Sequence, residues 1–97
     1  MNYRMKVTIT NPNTEKGKVS ELFFDLACHF VYDPETYGNG HYVSIIGKDF
    51  SERAYDLRYD KTFNRNKKSE WLERWARNYW TGENGAWAIK SLEITKA

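Results

Sequence analysis

The chain has 97 residues, of which 40% are hydrophobic and 29% are charged, and its formal net charge is +2. This length is typical of a single domain with one core, over 1–97, and the few prolines and glycines exclude a disordered or fibrous protein. No apolar run approaches the roughly 18 residues of a membrane span, no secretory signal precedes the first strand, and the lone cysteine fits a reducing compartment, so we expect a cytoplasmic protein without membrane contact.

The first segment of the chain predicts a β-hairpin. Apolar and polar residues alternate from Tyr3 to Ile9, which is the period of a strand with one buried face. Residues 11–14 supply turn-forming side chains, and Gly17 is able to adopt a positive φ. We therefore expect residues 18–24 to return antiparallel to this strand.

Residues 19–32 are compatible with two kinds of secondary structure. Their apolar side chains fall on one face of a helix, but the even-numbered residues over 22–32 are also apolar, as in a strand. We favour a strand up to Phe24, followed by a short helix over 26–32 with Asp25 as its N-cap. The alternative is a helix over the whole segment, which gives the order βαββαβ of a ferredoxin-like fold.

Two further strands are predicted in the middle of the chain. Residues 42–46 are almost all apolar, which favours a central strand that is covered on both faces. From Tyr55 to Tyr59, apolar residues alternate with charged ones, which predicts a strand with one dry and one wet face. We expect both tyrosines to pack in the core; the alternative is that they stack on nucleic-acid bases beside Arg58.

The spacing of apolar residues predicts one long C-terminal helix over 67–81, capped by Asn66 and followed by Gly82. The apolar stripe of this helix consists of Trp71, Leu72, Trp75, Ala76 and Tyr79. After the helix, the alternation changes phase near Lys90, which predicts a β-bulge in the last strand or a strand that passes from one packing surface to another. The expected fold class is α+β, with an antiparallel sheet of about five strands, the long helix on one face and a short helix near 26–32.

Motifs for catalysis and for metal binding are missing from the sequence. It contains no G-x-S-x-G, H-E-x-x-H, C-x-x-C or phosphate-binding G-x-x-x-x-G-K-[ST] pattern. Cys28 and His29 are neighbours, and neighbouring side chains diverge on a helix or a strand, so Cys28 is expected to be a small buried residue. We therefore predict a protein that is not an enzyme and that has no catalytic residues, cofactor or metal.

The charges are unevenly distributed along the chain. Residues 19–56 carry seven acidic residues and two basic ones, whereas residues 57–68 carry five basic residues and only Asp60 as an acid. The five basic residues are Arg58, Lys61, Arg65, Lys67 and Lys68. We favour a solvated loop and helix start for this segment; the alternative is that the five residues form a surface for an anion or a nucleic acid.

Aromatic residues make up 16% of the chain, and a core of this size is able to bury them all. The aromatic residues of the predicted helix, however, span more than one of its faces, so we expect some of them to stay exposed. The candidate interaction surface consists of Trp71, Trp80 and Trp87. The predicted function is a small interaction module that binds a protein partner, or a second copy of itself, through this surface. The alternative is a nucleic-acid-binding accessory protein that uses the basic segment over 58–68.

Three stretches in the C-terminal half, Ala54–Asp60, Trp71–Trp80 and Gly85–Leu92, resemble small uncharacterised accessory proteins carried by mobile elements of Gram-positive bacteria. The resemblance lies in the general pattern of residues and includes no catalytic or binding motif. It implies an accessory role and a cytoplasmic location, and it assigns a function to no individual residue.

Overall fold

A computed structural model describes residues 2–11, 20–33, 40–82 and 87–97 of the chain. Its elements in chain order are β1 (Asn2–Asn11), β2 (Ser20–Asp33), β3 (Gly40–Gly47), β4 (Phe50–Asp56), α1 (Lys68–Thr81) and β5 (Ala88–Lys96). The strands form one antiparallel sheet in the order β4-β3-β2-β1-β5. This arrangement confirms an α+β fold with a five-stranded antiparallel sheet. The helix is followed by a strand, as the sequence predicts, so only its description as C-terminal is wrong.

Strands β1 and β2 pair antiparallel, as the alternation of apolar residues predicts. The register runs from Asn2 opposite His29 to Asn11 opposite Ser20. The odd-numbered side chains of β1 from Tyr3 to Ile9 are buried on the side of the sheet that α1 covers. The turn between the two strands, including Gly17, lies outside the described residues.

Residues 20–33 form one continuous strand, so the favoured short helix over 26–32 and the alternative ferredoxin-like order are both wrong. The even-numbered apolar residues of this strand lie on the face that α1 covers; Leu26, Cys28 and Phe30 are buried, whereas Leu22 and Tyr32, near the two ends of the strand, are largely exposed. Asp25 lies within this strand and does not cap a helix. Its carboxylate accepts a 2.6 Å bond from Arg4 on the face of the sheet opposite the core. The segment forms a strand rather than a helix because β1 and β3 pair with the two edges of β2 and provide hydrogen-bond partners for its backbone N–H and C=O groups.

The next two strands differ from the prediction in their burial and their limits. Strand β3 is covered on one face only: Val43 and Ile45 are fully buried, but Ile46 is 41% exposed on the other face. Strand β4 lies several residues earlier than predicted, and the chain beyond Leu57 turns away from the sheet. As a consequence, Tyr59 is 81% exposed in a turn and does not pack in the core.

Helix α1 lies within one residue of its predicted limits, but its cap and its buried face differ in detail. Lys67 occupies the N-cap position and no side chain caps the helix, so the predicted cap at Asn66 is wrong. The buried residues of the helix are Trp71, Leu72, Trp75, Ala76 and Trp80. Trp80 takes the place that the sequence gives to Tyr79, which is 39% exposed. Within the described residues, no helix has the length and apolar character needed to cross a membrane.

Strand β5 pairs with β1 and closes the sheet on the side opposite β4. Its register shifts where Thr8 faces Ser91 and Ile9 faces Ile89, which leaves Lys90 as an additional residue. This shift confirms the predicted β-bulge near Lys90. Among the described elements, only α1 packs on the sheet; the other face carries mostly polar residues, as is usual for antiparallel sheets, together with the exposed apolar side chains of Phe23, Val31 and Ile46.

Candidate functional site

A cleft of about 390 Å³ lies between α1 and the edge strand β4. Trp71, Trp75 and Tyr79 form its helix wall, because residues four positions apart lie on the same side of a helix. Tyr55 forms the wall on the strand side. The rings are close together: the Trp75 and Tyr79 centroids are 5.1 Å apart in a stacked pair, and those of Tyr55 and Trp71 are 5.9 Å apart.

The two indole N–H groups of the cleft are bonded within the protein. Trp75 Nε1 donates to the hydroxyl of Tyr55 at 2.8 Å, and Trp71 Nε1 donates to Asp60 Oδ2 at 2.9 Å. Because a buried N–H group without a partner is costly, these two bonds fix the orientation of both rings. The tryptophans therefore contribute apolar ring surface to the cleft, and neither has an N–H group left for a ligand.

An arginine stands at each end of the cleft. Arg53, on β4, donates to the hydroxyl of Tyr79 at 3.1 Å, and its guanidinium carbon lies 5.4 Å from the centre of that ring. Arg74, on α1, donates to the backbone carbonyl of Thr62. Neither arginine forms a salt bridge with a carboxylate of the described residues. The Arg53 end of the cleft is therefore positively charged and suited to an acidic group, whereas the charge of Arg74 is offset by the nearby carboxylate of Asp60.

Asp60 anchors the loop that closes one end of the cleft. Its Oδ1 accepts bonds from the backbone N–H and the hydroxyl of Thr62, and its Oδ2 accepts the bond from Trp71. These bonds, first from Thr62 and then from Trp71, lower the pKa of the carboxyl group, and the charge of Arg74 acts in the same direction. Asp60 is therefore ionised at neutral pH and acts as a hydrogen-bond acceptor that holds the loop to the helix.

The three tryptophans of the predicted interaction surface lie in different surroundings. Trp71 and Trp80 are each only 6% exposed, and Trp87 is half-buried against the core. Trp71 borders the cleft with one side of its ring, whereas Trp80 stacks on Phe24 at 5.5 Å above the sheet. The structure brings Trp71 to the cleft and leaves Trp80 and Trp87 away from it. Their role in binding stays a prediction.

Several residues of the cleft were missed by reasoning from the sequence. Arg53, Arg74 and Asn78 are exposed and lie in or beside the cleft, but nothing in their local sequence distinguishes them from solvated surface residues. The spacing of Trp71, Trp75 and Tyr79 at intervals of four was the available signal. This spacing indicates a cleft only if β4 lies beside the three aromatic residues. The position of β4 depends on its pairing with β3, which is a tertiary feature.

The predicted basic surface lies on the connection between β4 and α1 and on the first turn of the helix. Arg58 is engaged already, because it binds Asp56 at 3.1 Å and its guanidinium carbon lies 4.9 Å from the centre of the Tyr59 ring. The Lys68 ammonium group lies 5.7 Å from the centre of the Phe30 ring. The other basic residues of this set, Lys61, Arg65 and Lys67, are exposed.

Aromatic side chains lie beside these cations where β2 ends and β3 begins. His41 is 4.7 Å from the Tyr32 ring and 5.5 Å from the Phe63 ring, measured between centroids. Burial lowers the pKa of His41, and the charges of Lys68 and Arg65 lower it further. We call the group of Tyr32, His41, Phe63, Arg65 and Lys68 the basic end of the sheet.

Cys28 and His29, the two adjacent reactive residues of β2, lie on opposite faces of the sheet. Cys28 is fully buried, and burial raises the pKa of its thiol to about 12. His29 points to the opposite face of the sheet, since neighbouring residues of a strand alternate. Among the described residues, no three His, Cys, Asp or Glu side chains are placed to hold a metal ion.

Comparison with known proteins gives no match for this chain. No family model matches the sequence, and neither a curated protein nor a solved structure is similar to it. The resemblance to accessory proteins of mobile elements therefore stays a prediction.

Proposed function

We propose that the protein is a non-enzymatic binding module that holds a side chain of a protein partner in the cleft between α1 and β4. The observation that carries this proposal is the aromatic wall of Trp71, Trp75 and Tyr79, whose indole N–H groups are satisfied internally. Concave sites of this size, with apolar walls and a few polar groups, are typical of ligand sites. Tryptophan, tyrosine and arginine are also the residues that contribute most to protein interfaces.

The polar groups of the cleft are placed to orient a ligand rather than to transform it. Asn78 and the two arginines, Arg53 and Arg74, offer N–H donors around an apolar floor. The carboxylate of Asp60 already accepts three bonds and is held in its ionised form, so it is a poor general acid or base. Recognition of a side chain is the chemistry that these groups support.

A library of linear peptides displayed on phage tests the proposal. The protein is immobilised in three forms: wild type, Asn78→Trp, which fills the cleft from its exposed rim, and Glu73→Trp, which adds the same side chain to the opposite flank of α1. We expect peptides that bind the wild type and Glu73→Trp equally and bind Asn78→Trp about tenfold more weakly or worse. Equal binding to all three forms would exclude the cleft as the site.

A second candidate function, nucleic-acid binding, is favoured by the basic end of the sheet. Tyr32 is 52% exposed and lies beside His41, which is close enough to Arg65 and Lys68 for their charges to lower its pKa. Aromatic rings beside cations bind single-stranded nucleic acid, because bases stack on the rings and phosphates pair with the charges. This surface lies around the N-terminal end of α1, and none of its residues belongs to the walls of the cleft.

Salt dependence tests this second candidate. Binding of a fluorescent single-stranded oligonucleotide should weaken with a log–log slope of roughly −2 to −4. Replacing Lys61, Arg65, Lys67 and Lys68 with glutamine should flatten that slope. The matched control replaces four other exposed lysines, Lys6, Lys48, Lys90 and Lys96, and should leave the slope unchanged. Equal flattening by both sets would indicate a general charge effect, and no binding at low salt would eliminate the candidate.

A further inference from the structure

The outer edge of β4 has backbone groups that no other described strand uses. The N–H of Leu57 donates to the carbonyl of His41 at 2.8 Å, so Leu57 turns its backbone groups toward β3. In an antiparallel ladder the direction alternates from residue to residue. Ala54 and Asp56 therefore turn their N–H and C=O groups away from β3, and β4 is an edge strand.

The cleft lies directly above this edge. Arg53 and Tyr55, which alternate with Ala54, point to the side of the sheet that α1 covers, and both contact residues of the cleft wall. A further strand beside β4 would lie about 4.8 Å away and would direct every second side chain to the same side. One of those side chains would enter the space between Tyr55 and the wall of α1.

The charges around the cleft specify which side chains fit next to the inserted one. Arg53 and Arg74 stand at opposite ends of the cleft; Arg53 has no carboxylate partner among the described residues, whereas the charge of Arg74 acts on the ionised Asp60. Residues two positions apart in a strand lie on the same face, about 6.6 Å from each other. An acidic residue two positions from the inserted side chain is therefore complementary to Arg53, at the end of the cleft away from Asp60.

We propose that the cleft binds an extended segment of a partner protein, which adds to β4 as a further strand, inserts one aromatic or large apolar side chain, and carries an acidic residue two positions away. This inference rests on the function proposed for the cleft and names its partner. The main-chain bonds to Ala54 and Asp56 supply affinity, and the cleft supplies specificity, as in other cases of strand addition.

The other edge of the sheet is less suited to such a segment. The groove between α1 and β5 is lined by Glu70, Glu73 and Arg77, and Glu73 is already paired with Arg77 at 3.1 Å. Strand β5 also carries Lys90 and Lys96, and lysines on an edge strand protect it against pairing with other chains. At the β4 edge, by contrast, the aromatic walls of the cleft and Arg53 lie next to the outward-directed backbone groups of Ala54 and Asp56.

Proline substitution tests the strand addition, using the peptides selected with the phage library. Ala54→Pro removes an outward N–H group, which an edge strand tolerates because the bond to β3 is not affected. Lys96→Pro is the matched control on β5, where the bond from the Ala97 N–H to the Asn2 carbonyl shows that the N–H of Lys96 points outward. We expect Ala54→Pro to weaken peptide binding about tenfold and Lys96→Pro to leave it unchanged.

A second measurement does not depend on how the proline variant folds. Synthetic versions of a selected peptide carry a single N-methyl group at successive backbone positions. Strand addition requires that methylation weaken binding at alternate positions only, because every second N–H points to β4. Uniform tolerance of methylation, or selected peptides without an acidic residue two positions from the inserted side chain, would overturn the inference.

The outcomes separate this inference from the proposed function on which it rests. Peptides that lose binding to Asn78→Trp but are insensitive to Ala54→Pro and to methylation would leave the cleft as a binding site and overturn the strand addition. Peptides that bind Asn78→Trp as well as the wild type would overturn both.

Discussion

The indole N–H of Trp75 donates to the hydroxyl of Tyr55 at 2.8 Å and thereby joins α1 to the edge strand β4 across the floor of the cleft. Trp75 is 8% exposed, so the bond lies at the border between the core and the cleft. The strands are held together by backbone hydrogen bonds to their neighbours, whereas the position of the helix on the sheet depends on side-chain contacts. This bond therefore sets the width of the cleft before any ligand arrives.

The bond between Trp75 and Tyr55 should contribute measurably to stability. Tyr55→Phe keeps the ring but leaves the indole N–H without its acceptor, and an unsatisfied buried donor costs about 1–3 kcal/mol. We expect urea denaturation to show a loss in this range. Tyr59→Phe removes a hydroxyl from a residue that is 81% exposed and should change stability by less than about 0.5 kcal/mol. Equal effects of the two substitutions would contradict this role.

Trp75 should be one of the residues on which the fold depends most. It contacts Tyr55, Phe50 and Trp80 with ring centroids 5.5 to 6.2 Å away. Trp75→Ala should cost about 3–5 kcal/mol, which is a large part of the stability of a small domain. Tyr79→Ala, at a 39% exposed position four residues later, should cost clearly less. Thermal melts that place both variants within a few degrees of wild type would show that the helix packs differently.

The pH dependence of stability should reveal the role of Asp60. Its pKa is lowered in the folded state, by bonds from Thr62 and then Trp71, so the folded protein takes up a proton less readily than the unfolded chain. This contribution to stability is present above the ordinary carboxyl pKa of about 4 and is lost as the pH falls through the lower folded-state pKa. Between about pH 5 and pH 3, Asp60→Asn should therefore lose less of its free energy of unfolding than wild type. Thr62→Val, which removes one of the bonds, should lie between them. A steeper loss in Asp60→Asn would contradict the assignment.

The elements that were predicted well are those whose pattern has a single interpretation. The alternation from Tyr3 to Ile9 fits only a strand, and the four-residue spacing from Trp71 to Tyr79 fits only a helix. The bulge near Lys90 could be predicted because the alternation of apolar and polar residues changes phase there. In each of these cases the local sequence and the tertiary structure require the same conformation.

Residues 20–33 and the cleft could not be predicted for a different reason. The apolar residues of β2 satisfy the helical period and the strand period, and only pairing with β1 and β3 decides between them. The cleft exists because Tyr55 on β4 and Trp75 on α1 meet across a gap. Which residues face each other across the tertiary fold is not encoded in the spacing along either element.

Cys28 should behave as a buried, unreactive thiol. It is fully buried in the central strand, and burial raises the pKa of its thiol to about 12, so the reactive thiolate is scarce at neutral pH. We expect a thiol reagent to label Cys28 slowly in the native protein and rapidly in denaturant. Ala27→Cys in a Cys28→Ala background places a thiol on the other face of the same strand and should be labelled faster. Rapid native labelling of Cys28 itself would contradict its burial.

Gly47 should be intolerant of a side chain, because the chain passes close to β2 at this position. A Cβ atom there would lie 2.6 Å from Leu26 Cδ2 and 3.2 Å from the Asp25 carbonyl oxygen. Leu26 is fully buried and the carbonyl belongs to the central strand, so neither is free to move away. Gly47→Ala should therefore destabilise the protein by about 1–3 kcal/mol in urea denaturation.

A double-mutant cycle identifies the cause of that loss. Leu26→Val shortens the side chain that the new Cβ would meet, so the cost of Gly47→Ala should be smaller in that background. Ser44→Ala on the same strand removes only the exposed hydroxyl bond to Glu52 and serves as a control for substitutions in β3, with an expected change below about 0.5 kcal/mol. Strictly additive costs of Gly47→Ala and Leu26→Val would show that the contact with Leu26 is not what excludes a side chain. The crowding would then have to come from the Asp25 carbonyl, and Gly47→Ala would shift the backbone of β3 away from β2 and change the position of the β4 edge beside it.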